Sequence, residues 1–234
     1  MKNDAKDMTL GGHLQEFRLR LIICLVVVAI ASAGAYAYID EIIAILSAPA
    51  GKLYFLNPAE VFFAYIEIAV FTGVLVTLPI LVYELWGFIR PALRPQEQHA
   101  VWWLLPSAVI LFYAGLAFSY YAVFPSAVQF FMAFATPTLQ PMFSLQSYIS
   151  FFIAFMIPFG VVFELPLILF FLAKLGIVSS AFLKKKRKIL IVLAFVFAAV
   201  VSPTTDVFTQ SMIAIPMIIL YEVSIFLVQY MLKK

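Results

Sequence analysis

Charge is what this sequence has least of. Only 12% of its 234 residues are Asp, Glu, Lys or Arg, against roughly 25% in soluble domains. That scarcity points to lipid as the solvent. Cysteine is nearly absent too: the single Cys24 cannot form an internal disulfide, and its place in the first apolar run suits a small core residue. The only histidines, His13 and His99, lie near basic residues at the ends of the apolar runs, far from Glu164, a carboxylate inside one. Neither G-x-S-x-G nor H-E-x-x-H occurs. No Asp sits inside an apolar run to pair with a second carboxylate as a catalytic dyad would require. With no metal or cofactor motif either, the expectation is a protein that is not an enzyme.

What is there is apolar: 65% hydrophobic residues, including 25 Phe and 11 Tyr, with a mean hydropathy of +1.07. Crossing the hydrocarbon takes about 20 apolar residues as a helix. By that measure six segments qualify, at residues 19–39, 61–83, 101–124, 149–173, 189–201 and 207–221. The fifth reaches only about 20 Å at 1.5 Å per residue, so it needs flanking residues or a thinned bilayer. The tripeptide "ASA" at 31–33 resembles a signal cleavage site, but the run before it is longer than the usual h-region, which predicts an uncleaved anchor. No internal repeat, linker or second domain is visible, so residues 1–234 are expected to form one polytopic domain.

Basic residues are partitioned by side. Fourteen of the fifteen Lys and Arg precede or open the first segment, lie in alternate loops or end the chain; only Lys52 falls in the other loops. The positive-inside rule then puts both termini in the cytoplasm. On this count "KKKRK" at 184–188 is an orientation signal that also attracts anionic lipid, and no nucleic-acid partner is expected. The external loops are 40–60, rich in turn formers, the uncharged 125–147, expected to cap the outer helix ends, and the tight turn 202–206.

Several polar residues need explaining. His13–Leu21, "HLQEFRLRL", reads as a short amphipathic helix feeding the first span, with Leu10, Leu14, Phe17 and Leu21 on one face. Glu16 and Arg20 are spaced for a salt bridge of about 0.3–0.5 kcal/mol; alternatively Glu16 faces the interface as a receptor for a cation. Pro95 suits a first helical position, with Glu97 complementing the dipole two residues later. Asp206 fits an N-cap. Within the spans, Glu164 lies ten residues from Lys174, about 15 Å, and so near mid-bilayer. There a charge costs about 2.5–3.5 kcal/mol and defaults to a functional hypothesis. Pro158 and Pro166 flank it and are expected to free carbonyls near Ala154 and Val162, bending the helix around a wet concavity. Glu60 and Glu67, two turns apart, are expected to share one external hollow, and Glu222 to lie near the inner interface.

Taken in order, "HLQEFRLRL", "FLNPAEVFF", "FIRPALRPQEQ", "FGVVFELP", "KKKRK" and "SPTTDVFTQSMIAIPM" resemble the TatC family, the multi-spanning subunit of the twin-arginine protein translocase. The matches cover nearly the whole chain. The resemblance implies an all-α membrane protein of six transmembrane helices in a concave, glove-like bundle with short fifth and sixth helices. It implies a receptor and core subunit that exports folded proteins across the bacterial cytoplasmic membrane using the protonmotive force. Glu16 and Glu97 then recognise the arginine pair of a signal peptide, with Arg18 on the same surface orienting Glu16. Arginine's planar fork can bond a carboxylate bidentately and lysine cannot. Glu164 falls inside the concavity, where it holds water or contacts an inserted signal hairpin or a partner helix. Gln210 and Asp206 match positions near the last two spans, where the single-span subunits TatA and TatB dock, and self-association is implied. Two positions depart from the family pattern: Glu67 stands where a basic residue is frequent, and Thr204–Thr205 precede Asp206 where a Pro-Asp pairing is commoner. The alternative is an ion-coupled transporter with Glu164 as its coupling carboxylate, although such folds usually show repeats.

Overall fold

The apolar periodicity that begins near Leu10 does not produce a separate short helix. In the computed structural model, α1 runs unbroken from Leu10 to Tyr36, so the amphipathic piece is simply its first turns. The structure describes residues 10–90, 95–138, 140–202, 204 and 206–231, and within these all side chains except those of 10, 11, 95–102 and 231. The chain continues through α2 (Ile39–Ser47) and α3 (Pro58–Ile89). α3 starts where it does because the Asn57 side chain accepts from the Ala59 amide at 3.0 Å, with Pro58 pre-set for the first turn. Its 32 residues span about 48 Å.

α4 (Pro95–Phe118) opens on Pro95, as its spacing predicts, and passes through one wide π turn, Ser119–Val123, into α5 (Phe124–Met132). Pro125 explains the widening. It offers no N–H to the carbonyl of Tyr121 and its ring crowds that carbonyl, so the turn opens and Phe124 N–H reaches back to Ser119 instead.

The glutamate-bearing run divides into α6 (Leu145–Phe163) and α7 (Leu165–Lys174). Of the two flanking prolines only Pro166 breaks it. Pro158 lies inside the continuous α6, where it offers no N–H to the Ala154 carbonyl but does not end the helix. α7 ends on Gly176 at φ 78°, a left-handed position that favours glycine; Gly176 N–H bonds Ala173 O and Ile177 N–H bonds Leu172 O, both at 3.0 Å. α8 (Ser180–Val201) and α9 (Val207–Met231) complete the described chain.

Five helical stretches among the described residues are long and apolar enough to cross a membrane: Gly12–Tyr36, Pro58–Ile89, Trp103–Met132, Leu145–Lys174 and Val207–Tyr230. α8 has 22 residues, but its first turns carry Lys184–Lys188, leaving only the short apolar part at 189–201. The protein is therefore an all-α, multi-pass membrane protein.

α1 lies along α3 and buries little of itself against the rest. The close approach is set by Gly73, where a Cβ would collide with Ser32. The core lies between α3, α5 and α6. Phe124 is fully buried, with its ring 5.0 Å from Phe152 and 5.6 Å from Tyr148, both edge-on. At the end opposite the basic loops, the two long connections pair: Tyr54 N–H bonds Phe143 O at 3.0 Å and Leu145 N–H bonds Tyr54 O at 2.7 Å. The 125–147 segment is thus part helix and part a strand-like contact with the 40–60 segment. α8 and α9 form a close pair around the fully buried Ala194 and Ala198, small residues four apart that let backbones approach.

Candidate functional site

At the basic end of the bundle, α1 and α3 bring three charged side chains together. Arg20 donates through Nε (3.0 Å) and Nη2 (2.7 Å) to Glu16 Oε1. Through Nη1 it donates to Glu84 Oε2 at 2.8 Å. The Glu16–Arg20 pair expected from spacing is present, but it is one half of a bridge. Glu16 Oε2 is buried and accepts no hydrogen bond among the described residues. One turn before Glu16, His13 stacks on Phe88 of α3 with ring centroids 4.3 Å apart, and Phe17 tilts against the same ring. Arg18 is exposed; the residue that touches Glu16 is Arg20. Glu97 belongs to the first turn of α4, and its side chain, like that of His99, lies outside the described residues.

Glu164 occupies the single-residue break between α6 and α7. Its amide bonds Val161 O at 3.1 Å and its carbonyl accepts from Ile168 at 2.9 Å, so the backbone is satisfied on both sides of the break. The half-buried carboxylate faces a cavity of about 480 Å³ between α3, α4 and α7, lined by Leu81, Trp86, Leu104, Phe112, Leu167 and Phe171 among others. It makes no hydrogen bond among the described residues. The expected hollow exists, walled by apolar side chains with one carboxylate in it.

Glu60 and Glu67 each have their own hydrogen-bond partners near the start of α6. Glu60 Oε2 accepts from Leu56 N–H (3.1 Å) and Ser144 Oγ (3.2 Å). Glu67 accepts from Gln146 Nε2 (2.8 Å) and Ser150 Oγ (3.2 Å) of α6. Glu222 pairs with Arg187 at 2.6 Å across the α8–α9 contact, both half-exposed. Nearby, Lys184 Nζ donates to Gln229 at 2.7 Å.

Asp206 caps α9: its Oδ1 accepts the Thr209 amide at 2.8 Å and its Oδ2 the Thr209 hydroxyl at 2.7 Å. Burial opposes its charge, but the hydrogen bonds from Thr209 and Thr204 outweigh burial and hold the carboxyl below its ordinary range. Gln210, the next residue after fully buried Thr209, is half-buried on α9.

Sequence reasoning missed Glu84. The signal for it was present: "VYELWG" places a lone carboxylate inside a long apolar run, which by the cost of intramembrane charge should have prompted a search for its cation. Gln146 and Ser150 were missed as partners of Glu67, because uncharged polar residues near a helix start carry no such signal.

Comparison with known proteins agrees along the chain. The family model described as Sec-independent protein translocase protein (TatC) matches residues 12–216. The Sec-independent protein translocase protein TatC of Carboxydothermus hydrogenoformans is 40% identical over 235 residues, covering 99% of this chain and 97% of that protein. TatCd of Bacillus subtilis is 32% identical, covering 99% and 96%. A crystal structure of the twin-arginine translocase receptor TatC in DDM superposes with a TM-score of 0.82 at 37% identity, covering 92% of this chain and 99% of that one.

Proposed function

The chain belongs to the TatC family of Sec-independent protein translocase proteins, and from that premise we propose that it is the receptor for twin-arginine signal peptides and the core subunit through which folded proteins leave the cytoplasm. The observation that carries this is the similarity to the crystallised twin-arginine translocase receptor over 92% of the chain. It works as a transport component driven by the protonmotive force and not as an enzyme. It sits in the bacterial cytoplasmic membrane as one six-span domain with both termini cytoplasmic. Five long apolar helices together with α8 support the count, and the loop charge supports the orientation.

Within that role Glu16 and Glu97 receive the arginine pair on the cytoplasmic face. Supporting this, Glu16 is already engaged by a guanidinium, so its carboxylate geometry suits one. Glu164 serves the later step, meeting an inserted signal segment, a partner helix or water in the apolar cavity. Gln210 and Asp206 lie where the single-span TatA and TatB helices dock against the α8–α9 pair, and copies of the chain associate in the receptor complex. Arg18, exposed on α1, belongs to the same receiving surface, and Lys184–Lys188 meet anionic lipid.

The test is a titration of detergent-solubilised protein with a twin-arginine signal peptide and with its Lys-Lys variant. Tighter binding of the arginine form is expected, and equal affinities overturn the receptor reading. A transporter reading has only Glu164 and its cavity in its favour.

A further inference from the structure

Arg20 holds the carboxylate that the proposed function assigns to an incoming arginine. Two of its nitrogens donate to the same oxygen of Glu16, and the other oxygen is left unpartnered among the described residues. The third nitrogen turns away and donates to the side chain of Glu84 at 2.8 Å and to its backbone carbonyl at 3.4 Å. Gly87, on the next turn of α3, makes room for this, since a Cβ there would collide with the guanidinium. Beside the bridge lies a small cavity of about 230 Å³ lined by Phe17, Cys24, Leu85 and Phe88. The Glu16 side chain remains 20% exposed and that of Glu84 only 14%.

Two carboxylates around one guanidinium leave a net negative charge. Were Glu84 neutral, Arg20 would belong to Glu16 alone and the receiving carboxylate would be internally neutralised. We propose that Glu84 is a specificity-determining residue of the arginine-recognition site. It takes one of the three Arg20 donors, so that the cluster around Glu16 keeps a net negative charge for a guanidinium arriving from outside. Arg20 is the internal stand-in for that ligand. When a signal-peptide arginine takes Glu16, Arg20 withdraws onto Glu84, the more buried of the two acids. One charge-assisted contact replaces another, so Glu16 is never stripped of a partner. A lysine offers a point charge and cannot reproduce the fork that is exchanged. Like any role for Glu16, this rests on the receptor reading.

The measurement is the affinity of a labelled twin-arginine peptide for the full-length solubilised protein in the variants Glu16→Gln, Glu84→Gln, Arg20→Gln and Arg20→Gln/Glu84→Gln. Glu84→Gln is expected to weaken binding about tenfold, as loss of one member of a charge network does. Arg20→Gln is expected to bind at least as tightly as the parent. The double variant, which again presents one net negative charge, is expected to return to near the parent affinity. Glu84→Asp keeps the charge at shorter reach and should fall between parent and Glu84→Gln. Parent-like binding by Glu84→Gln overturns the proposal. So does a double variant no tighter than Glu84→Gln, which is the outcome if Arg20 merely props Glu16 in place. If Glu16→Gln binds like the parent, the receptor role of Glu16 itself fails.

Discussion

The Tyr148 hydroxyl on α6 donates to the backbone carbonyl of Leu46 on α2 at 2.8 Å, 102 residues away in sequence, and both groups are buried. Tyr120 makes the corresponding bond to the adjacent carbonyl, Ile45, at 2.9 Å. These two phenols tie the short α2 to the core at its C-terminal turn, where the Ile45 carbonyl otherwise accepts only a long bond from the Ala48 amide at 3.4 Å. Tyr148→Phe should therefore cost about 1 kcal/mol. Thermal unfolding of the solubilised protein would register this as a lowered Tm, and an unchanged Tm would mean that water replaces the phenol.

Gly73 and Ser32 decide how closely α1 can lie on α3. A Cβ at Gly73 would meet both the side chain and the backbone of Ser32, so relief requires moving a helix. Gly73→Ala is expected to destabilise by about 1–3 kcal/mol, whereas Gly34→Ala, where added atoms meet open space, should not. Paired unfolding curves for the two variants check the contrast.

Asp206 predicts a pH dependence with a definite sign. Its carboxyl is held below the ordinary range by bonds from Thr209 and Thr204. The unfolded chain therefore binds a proton more readily than the folded one. The stabilisation is present above the unfolded value, about 3.9, and fades as pH falls through the lower folded value. Asp206→Ala should lose about 0.5–2 kcal/mol at neutral pH through the missing cap. The difference in Tm between parent and variant should shrink on acidification; a difference independent of pH would show that the charged form is not what caps α9.

The Arg187–Glu222 pair, at 2.6 Å but with both side chains nearly half exposed (47% and 44%), should contribute little. A double-mutant cycle with Arg187→Gln and Glu222→Gln is expected to give about 0.2–1 kcal/mol, falling with salt. A coupling well above that range would mean that lipid or a partner desolvates the pair.

Glu164→Gln preserves the size of the side chain in its cavity and removes the charge. Signal-peptide binding should be unchanged, because the proposed recognition residues Glu16 and Glu97 lie outside the Glu164 cavity, while export of a folded reporter should fall. Export at the parent rate would show that the ionised form is not used.

Much of this was legible in one dimension. Whether a segment can cross a membrane depends on its length and apolarity, and loop charge accumulates along the chain, so neither needs a partner in space. Helix starts at Pro95 and Val207 followed from Pro95 itself and Asp206, because capping is settled within three residues; Asn57 and Pro58, read as turn formers of the 40–60 loop, open α3 by the same local rule. Glu164 was conspicuous for the same local reason: a carboxylate in an apolar run is costly wherever the helix packs. Tertiary structure decided what local chemistry leaves open. Pro158 and Pro166 look alike in sequence, yet only the second ends a helix. The segment after Pro158 is pressed so closely to α4 that a Cβ at Gly115 would collide with the Phe159 carbonyl. Arg20 could have been satisfied by Glu16 alone, four residues away. It is shared with Glu84, 64 residues on, because the packing of α1 on α3 past Gly73 and Gly87 sets the register at which those two carboxylates face one guanidinium.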